Sequence, residues 1–164
     1  MRTTNRLRLT ALAGLAAIMS LPAAAGTTPL QAGDLTITEF MAEPENGIPM
    51  YHGEWFELYN GSGRNLNLEG LEIYGSSGSD SGFVISQALY LAAGDYLVLG
   101  VDGDIALNGG VDIDYVYTRS QSGTTIFDLE RTGDTIRLVY DGLTLDSITW
   151  TAGTWFVAQG YSHQ

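Results

Sequence analysis

Cysteine and lysine are both absent from this 164-residue chain. Without cysteine there is no disulfide, no thiolate nucleophile and no lipid anchor on a cysteine, so the fold has to rest on its own core. Positive charge is scarce: 7 arginines stand against 19 carboxylates, for a formal net charge of -12. Arg2, Arg6 and Arg8 precede residue 26, so beyond that point only Arg64, Arg119, Arg131 and Arg137 offset the acids. A field of that sign repels phosphate backbones, and no basic stripe with interleaved aromatics is present, so nucleic acid is not expected as a partner. The excess of acids reads as solubility outside the cell rather than as a specific site for a cationic partner. Long apolar runs are also missing. The stretch from Leu9 to Leu21 is shorter than the roughly 20 residues that span a bilayer, and nothing later is long enough, so no membrane span is expected in the mature chain.

Residues 1–25 have the layout of a secretory signal peptide: three arginines, the apolar stretch, a helix-breaking Pro22 and the small residues Ala23, Ala24 and Ala25. Cleavage is expected between Ala25 and Gly26. The predicted location is secreted, periplasmic or cell-surface, reached by a Sec-type signal. Residues 26–33, with Pro29, read as a flexible lead, and residues 34–164 as one domain large enough to bury a core without staples.

Within that domain, helical periodicity is lacking and strand periodicity is plentiful. Leu35 to Phe40, Thr135 to Tyr140 and Leu143 to Ile148 alternate apolar and polar residues, and Gly- and Ser-rich clusters separate them. Many short strands with such punctuation predict an all-β sandwich with minimal helix. Asp141-Gly142 predicts a two-residue type I′ hairpin, because both central positions of that turn need positive φ. Ile136, Leu138 and Tyr140 then point one way. On the partner strand the alternation conflicts with itself: Leu143 and Leu145 share one face, Ile148 and Trp150 the other, unless a bulge shifts the register.

Two segments carry a resemblance. Ile37-x-Glu39 leads to Pro44, and after a variable loop comes Glu54-Trp55-Phe56-Glu57-Leu58-Tyr59-Asn60. Further along lie Leu66-x-Leu68-x-Gly70-x-x-Ile73, Leu91-x-x-Gly94-x-Tyr96-Leu97-Val98-Leu99, and a closing set of Gly133 to Leu138, Asp141-Gly142 and Asp146 to Ile148. In this order the segments resemble the lamin-tail domain family, with Leu71 where a Trp is usual and Ala93 where a Pro is usual. The resemblance covers about residues 34 to 150 and implies an immunoglobulin-like β-sandwich. It also implies a non-catalytic exported module of the kind that accompanies secreted hydrolases or repeat-bearing surface proteins in bacteria, with an unknown protein or cell-surface ligand as partner. Nucleic-acid binding, known for some eukaryotic members, does not carry over to so acidic a chain. Family members continue past a Trp-x-x-x-x-Gly-x-Ser segment, matched by Trp155, Gly160 and Ser162, into a last strand. This sequence stops at Gln164, so either the last strand is missing because the sequence is a fragment of a longer protein, which is the expectation, or the fold closes without it. The fragment reading predicts an unpaired edge or a loosely held tail beyond about Trp150.

Period two puts Phe56 and Leu58 in the core and Trp55, Glu57 and Tyr59 on the other face. That outer strip is the candidate binding site, to be either covered by the Glu43–Gly53 loop or used. The candidate metal site is Asp102, Asp104, Asn108, Asp112 and Asp114, hard oxygen ligands beside a Gly-rich loop that suit extracellular calcium. Its spacing fails the EF-hand pattern, because Ala106 holds the fifth position and no Glu closes the loop. No other cofactor is expected. Catalysis has little to stand on: His52 and His163 have no nucleophile motif to serve, and Glu54 with Glu57, or Glu39 with Glu43, are the only acid pairs weighed for glycosidic chemistry. No enzymatic activity is expected.

Overall fold

Alternating burial along the strands sorts the chain into two facing sheets. The computed structural model describes residues 28–76, 82–121, 124–151 and 159–164, so the expected signal peptide and Trp155 lie outside the described residues. The first sheet holds β1 (Leu35–Met41), β2 (Trp55–Asn60), β7 (Tyr96–Gly100) and β8 (Tyr115–Val116), in that order. The second runs β12 (Leu143–Thr151), β11 (Gly133–Tyr140), β4 (Glu72–Tyr74) and β5 (Gly82–Val84). Two small ladders, β3 (Leu66–Asn67) with β6 (Tyr90–Leu91) and β9 (Ser120–Gln121) with β10 (Thr124–Thr125), complete the strands. All pairings are antiparallel except β7 with β8. Among the described residues helix is confined to α1 (Met50–Gly53). The immunoglobulin-like sandwich read from the sequence is the fold observed.

Between the sheets, Phe40, Phe56, Leu58 and Leu99 from the first meet Ile73, Ile136, Leu138 and Trp150 from the second, all buried. Phe40 and Trp150 stack across the gap with ring centroids 4.3 Å apart. Each such side chain contributes about 1.5–3 kcal/mol through the apolar surface it hides, which is how the domain manages without a disulfide.

Two bulges adjust the registers. In β1 the pairing to β2 shifts between Ile37 and Glu39, so Thr38 and Glu39 together answer Glu57 while Phe40 stays in the core. In β12 the shift falls opposite Leu138 and Val139: Thr144 pairs with Val139, Asp146 with Leu138, and Leu145 is the extra residue. This bulge resolves the conflict seen in the sequence, since Leu145 and Trp150 are now both buried. The hairpin turn is as expected, with φ 48° at Asp141 and 75° at Gly142.

Both ends of the domain contact its body. The lead is fastened from Thr28 onward: Leu30 joins the core, and Arg64 donates to the carbonyls of Thr28 (3.2 Å) and Pro29 (3.0 Å) while pairing with Asp34. The tail is fastened too. His163 bridges the outer edge of β1 at Phe40, exchanging hydrogen bonds of 3.0 and 2.9 Å, and Gly160 N–H donates to the Glu43 carbonyl. Ser162 and Gln164 reach the Glu39 carboxylate. The β1 edge is therefore occupied at Phe40, and at Ile37, whose N–H is taken by the Asp146 carboxylate at 2.7 Å.

Candidate functional site

Along β2, Phe56 and Leu58 are fully buried while Trp55, Glu57 and Tyr59 emerge half-buried on the outer face of the first sheet. The two ends of this strip have different fates. At the Trp55 end Pro44, Glu45, Ile48 and Gly53 of the preceding loop form a cover that encloses, with Trp55, a cavity of about 110 Å³. The cover has a second half that sequence reasoning missed, Asn108, Gly109 and Val111 from the loop after β7. Glycine makes the closure possible, since a Cβ on Gly53 would sit 2.6 Å from Pro44 and one on Gly109 2.7 Å from Ile48. The His52 imidazole meets the Asp102 carboxylate and joins the two halves.

The Tyr59 end stays open. Tyr59 pairs with Tyr96 at 4.9 Å between centroids, and Tyr96 is 56% exposed. Beside them runs a groove of about 450 Å³ lined by Thr38, Glu57, Tyr96 and Gln164. Thr38 hydroxyl donates to Glu57 Oε1 at 2.7 Å.

The candidate calcium residues lie on one loop but spend their oxygens locally. Asp102 Oδ1 accepts from Asp104 N–H and Asp104 Oδ1 from Ala106 N–H, both at 2.9 Å. Asn108 is buried; its amide donates to the carbonyls of Asp102 and Val111, and its oxygen accepts from Gly110 and Val111 N–H. Asp114 accepts from Val98 N–H at 2.8 Å, and Asp112 is exposed. Most of these bonds run from a side chain to backbone two or three residues away, which is what shapes a turn, while Asp114 reaches across to β7. Among the described residues no three His, Asp or Glu side chains converge as a metal shell.

Three polar residues are buried pins, and of these the sequence reading had singled out only Glu54, as half of an acid pair. Asn60 donates from one amide nitrogen to the carbonyls of Arg64 (2.8 Å), Leu91 (3.0 Å) and Ala92 (2.9 Å), and accepts from Ser62. Asp134 accepts from the backbone N–H groups of Ser76, Glu130 and Thr135. Glu54 accepts from Arg119 Nε at 3.3 Å and Leu129 N–H at 3.4 Å, and Arg119 also holds Asp128 at 3.2 Å. Burial pushes the Glu54 carboxyl up from 4.5 to about 7, against the opposing pull of Arg119. Its second oxygen and the nearby Tyr117 hydroxyl are buried with no partner among the described residues. Burial, aided by the charge of Glu54, pushes the Tyr117 hydroxyl well above its usual range. The signal for all three pins was a polar residue at a strand end inside a motif, which a buried backbone needs for its unpaired groups.

Neither acid pair weighed for catalysis shares a cleft. Glu54 is enclosed with Arg119, whereas Glu57 lines the outer groove. Glu39 bonds Ser162, and Glu43 pairs with Arg131 at 2.9 Å.

Two β-sheets packed face to face, with motif polar residues used as internal pins, define an immunoglobulin-like domain. The sequence pattern of the Lamin Tail Domain family matches residues 28–152, and the chain belongs to that family. No curated protein matches it, and no solved structure does. Among the described residues no helix is long and apolar enough to cross a membrane.

Proposed function

We propose that this chain is a non-catalytic, exported binding or anchoring module, working as one part of a secreted or surface assembly. Its ligand docks on the outer face of the first sheet, at the open end of the β2 strip. The observation that carries this reading is the groove beside Tyr96: a large exposed ring, a second ring against it and polar side chains at the rim, on a face whose other end is already covered. Export is supported by the order of arginines, apolar stretch and small residues ahead of Gly26. Tyr59 and Glu57 belong to this surface, and Trp55 supports it from beneath the cover.

Tyr96→Ala tests the reading, because the ring is exposed and its removal leaves the core untouched. Wild type and variant are compared against immobilised basic, neutral and acidic peptides and a neutral polysaccharide, alongside their melting temperatures. Loss of one bound class in the variant, at unchanged Tm, is the expected result. Identical binding by the two proteins, or binding of none of the classes by wild type, would sink it.

A further inference from the structure

Glu39 and Glu57 stand directly opposite each other across β1 and β2, on the same outer face. Like charges in that position destabilise a sheet, and a neighbouring base normally offsets them. None does here. Arg64 pairs with Asp34, Arg119 with Glu54 and Asp128, and Arg131 with Glu43, while Arg137 lies over the Tyr74 ring at 5.4 Å. The chain has no lysine, His52 is paired with Asp102, and the His163 ring stacks on Phe40 with centroids 5.4 Å apart. Thr38 bonds Glu57, and Ser162 and Gln164 bond Glu39. Thr38 and Gln164 are also rim residues of the open groove, with Glu57 and Tyr96 as the others. The Tyr59 and Tyr96 rings, 4.9 Å apart and tilted by 40°, offer aromatic faces next to the same acids.

We infer that this groove takes a cationic side chain, the guanidinium or ammonium of a basic peptide segment on a protein partner. The inference rests on the reading of this face as the binding surface, and gives that surface its ligand chemistry. The partner supplies a positive charge to these acids. Its cation sits against Glu57, with Glu39 behind, and its planar or alkyl portion lies on Tyr96. The register makes the acids a built feature: the β1 bulge is what brings Thr38 and Glu39 together opposite Glu57. A neutral saccharide, which would also stack on a tyrosine, leaves the paired charges unexplained.

Amide chemical shifts of the full-length chain, followed during titration with a blocked Gly-Arg-Arg-Gly peptide and its citrulline counterpart, test this. Citrulline keeps the shape and removes the charge. The arginine peptide is expected to move Thr38, Glu57, Tyr59 and Tyr96 while the citrulline peptide does not. Glu57→Gln is expected to weaken the interaction about tenfold, the loss of one charge-assisted contact, with a melting temperature no lower than wild type. Equal shifts from both peptides, an unchanged affinity in Glu57→Gln, or shifts confined to the Asp102–Asp114 loop would overturn the inference. A cellohexaose arm separates the two readings. Shifts at the same amides with that sugar and not with arginine would end the cation assignment and leave the binding face standing. Silence with all three ligands would end both.

Discussion

Glu54 carries the sharpest prediction, because its environment sets a pH dependence with a definite sign. In the unfolded chain its carboxyl ionises near 4.5, and in the folded protein near 7. Between those values the native state holds a proton that the unfolded chain has released, so raising the pH costs stability. Below about 4.5 both states are neutral, and the favourable contribution of the buried neutral acid is fully present. Above about 7 both are ionised, and that contribution is gone. At 1.36 kcal/mol per unit, the interval corresponds to about 3 kcal/mol, a large share of the roughly 5–15 kcal/mol that holds a typical domain. The side chain has no exposed surface, so solvent does little to discount the figure. Glu54→Gln keeps the shape and cannot ionise. Urea unfolding of wild type and variant, followed by tryptophan fluorescence from about pH 5 to about pH 8, should therefore give a stability difference that moves against wild type by about 3 kcal/mol. A flat difference would refute the reasoning. A difference that moved in favour of wild type would show that Arg119, at 3.3 Å, outweighs the cost of burying the charge.

Three further outcomes follow from the packing. Trp150→Ala removes a ring stacked on Phe40 and strands the Glu130 carbonyl that the indole N–H serves at 2.8 Å, so chemical denaturation should show a loss of about 3–5 kcal/mol. Asn60→Ala should cost about 3 kcal/mol through the buried carbonyls it abandons, and Asn60→Asp at least as much, because a carboxylate cannot donate to Arg64, Leu91 and Ala92. The 102–114 loop is shaped by its own side-chain to backbone bonds, so calcium at about 1 mM should leave the melting temperature within about 1 °C; a rise of several degrees would mean that the acids turn outward onto the ion.

Local pattern made much of this legible. Period two assigned the faces of residues 55 to 60, and the Asp-Gly turn located the last hairpin, because both depend on neighbours in the chain. Bulges break that arithmetic. The shift near Leu145 moved Trp150 to the core side, and the shift between Ile37 and Glu39 set two acids against each other, yet neither is written in composition or period. The pins were hidden for another reason. Glu54 finds Arg119 from 65 positions away, and Asp134 finds Ser76 from 58, so their roles exist only once the sheets have met. The cover over Trp55 was half visible: the Glu43–Gly53 loop is adjacent to the strip, whereas the loop containing Asn108 arrives through the β2–β7 pairing.

The β11–β12 hairpin has a consequence for the order of assembly. It pairs from Gly133–Thr151 to Tyr140–Leu143 across a turn of Asp141 and Gly142, whereas β4 reaches β11 with Tyr74 opposite Arg137. Closing a short loop costs far less chain entropy than closing a long one, so the hairpin is the pairing a collapsing chain reaches first. Once formed, it presents Ile136, Leu138 and Trp150 as a ready surface on which Phe40 and the first sheet condense. Folding rates should accordingly be most sensitive to the turn and to Trp150, and the β1 edge should be among the last parts to settle.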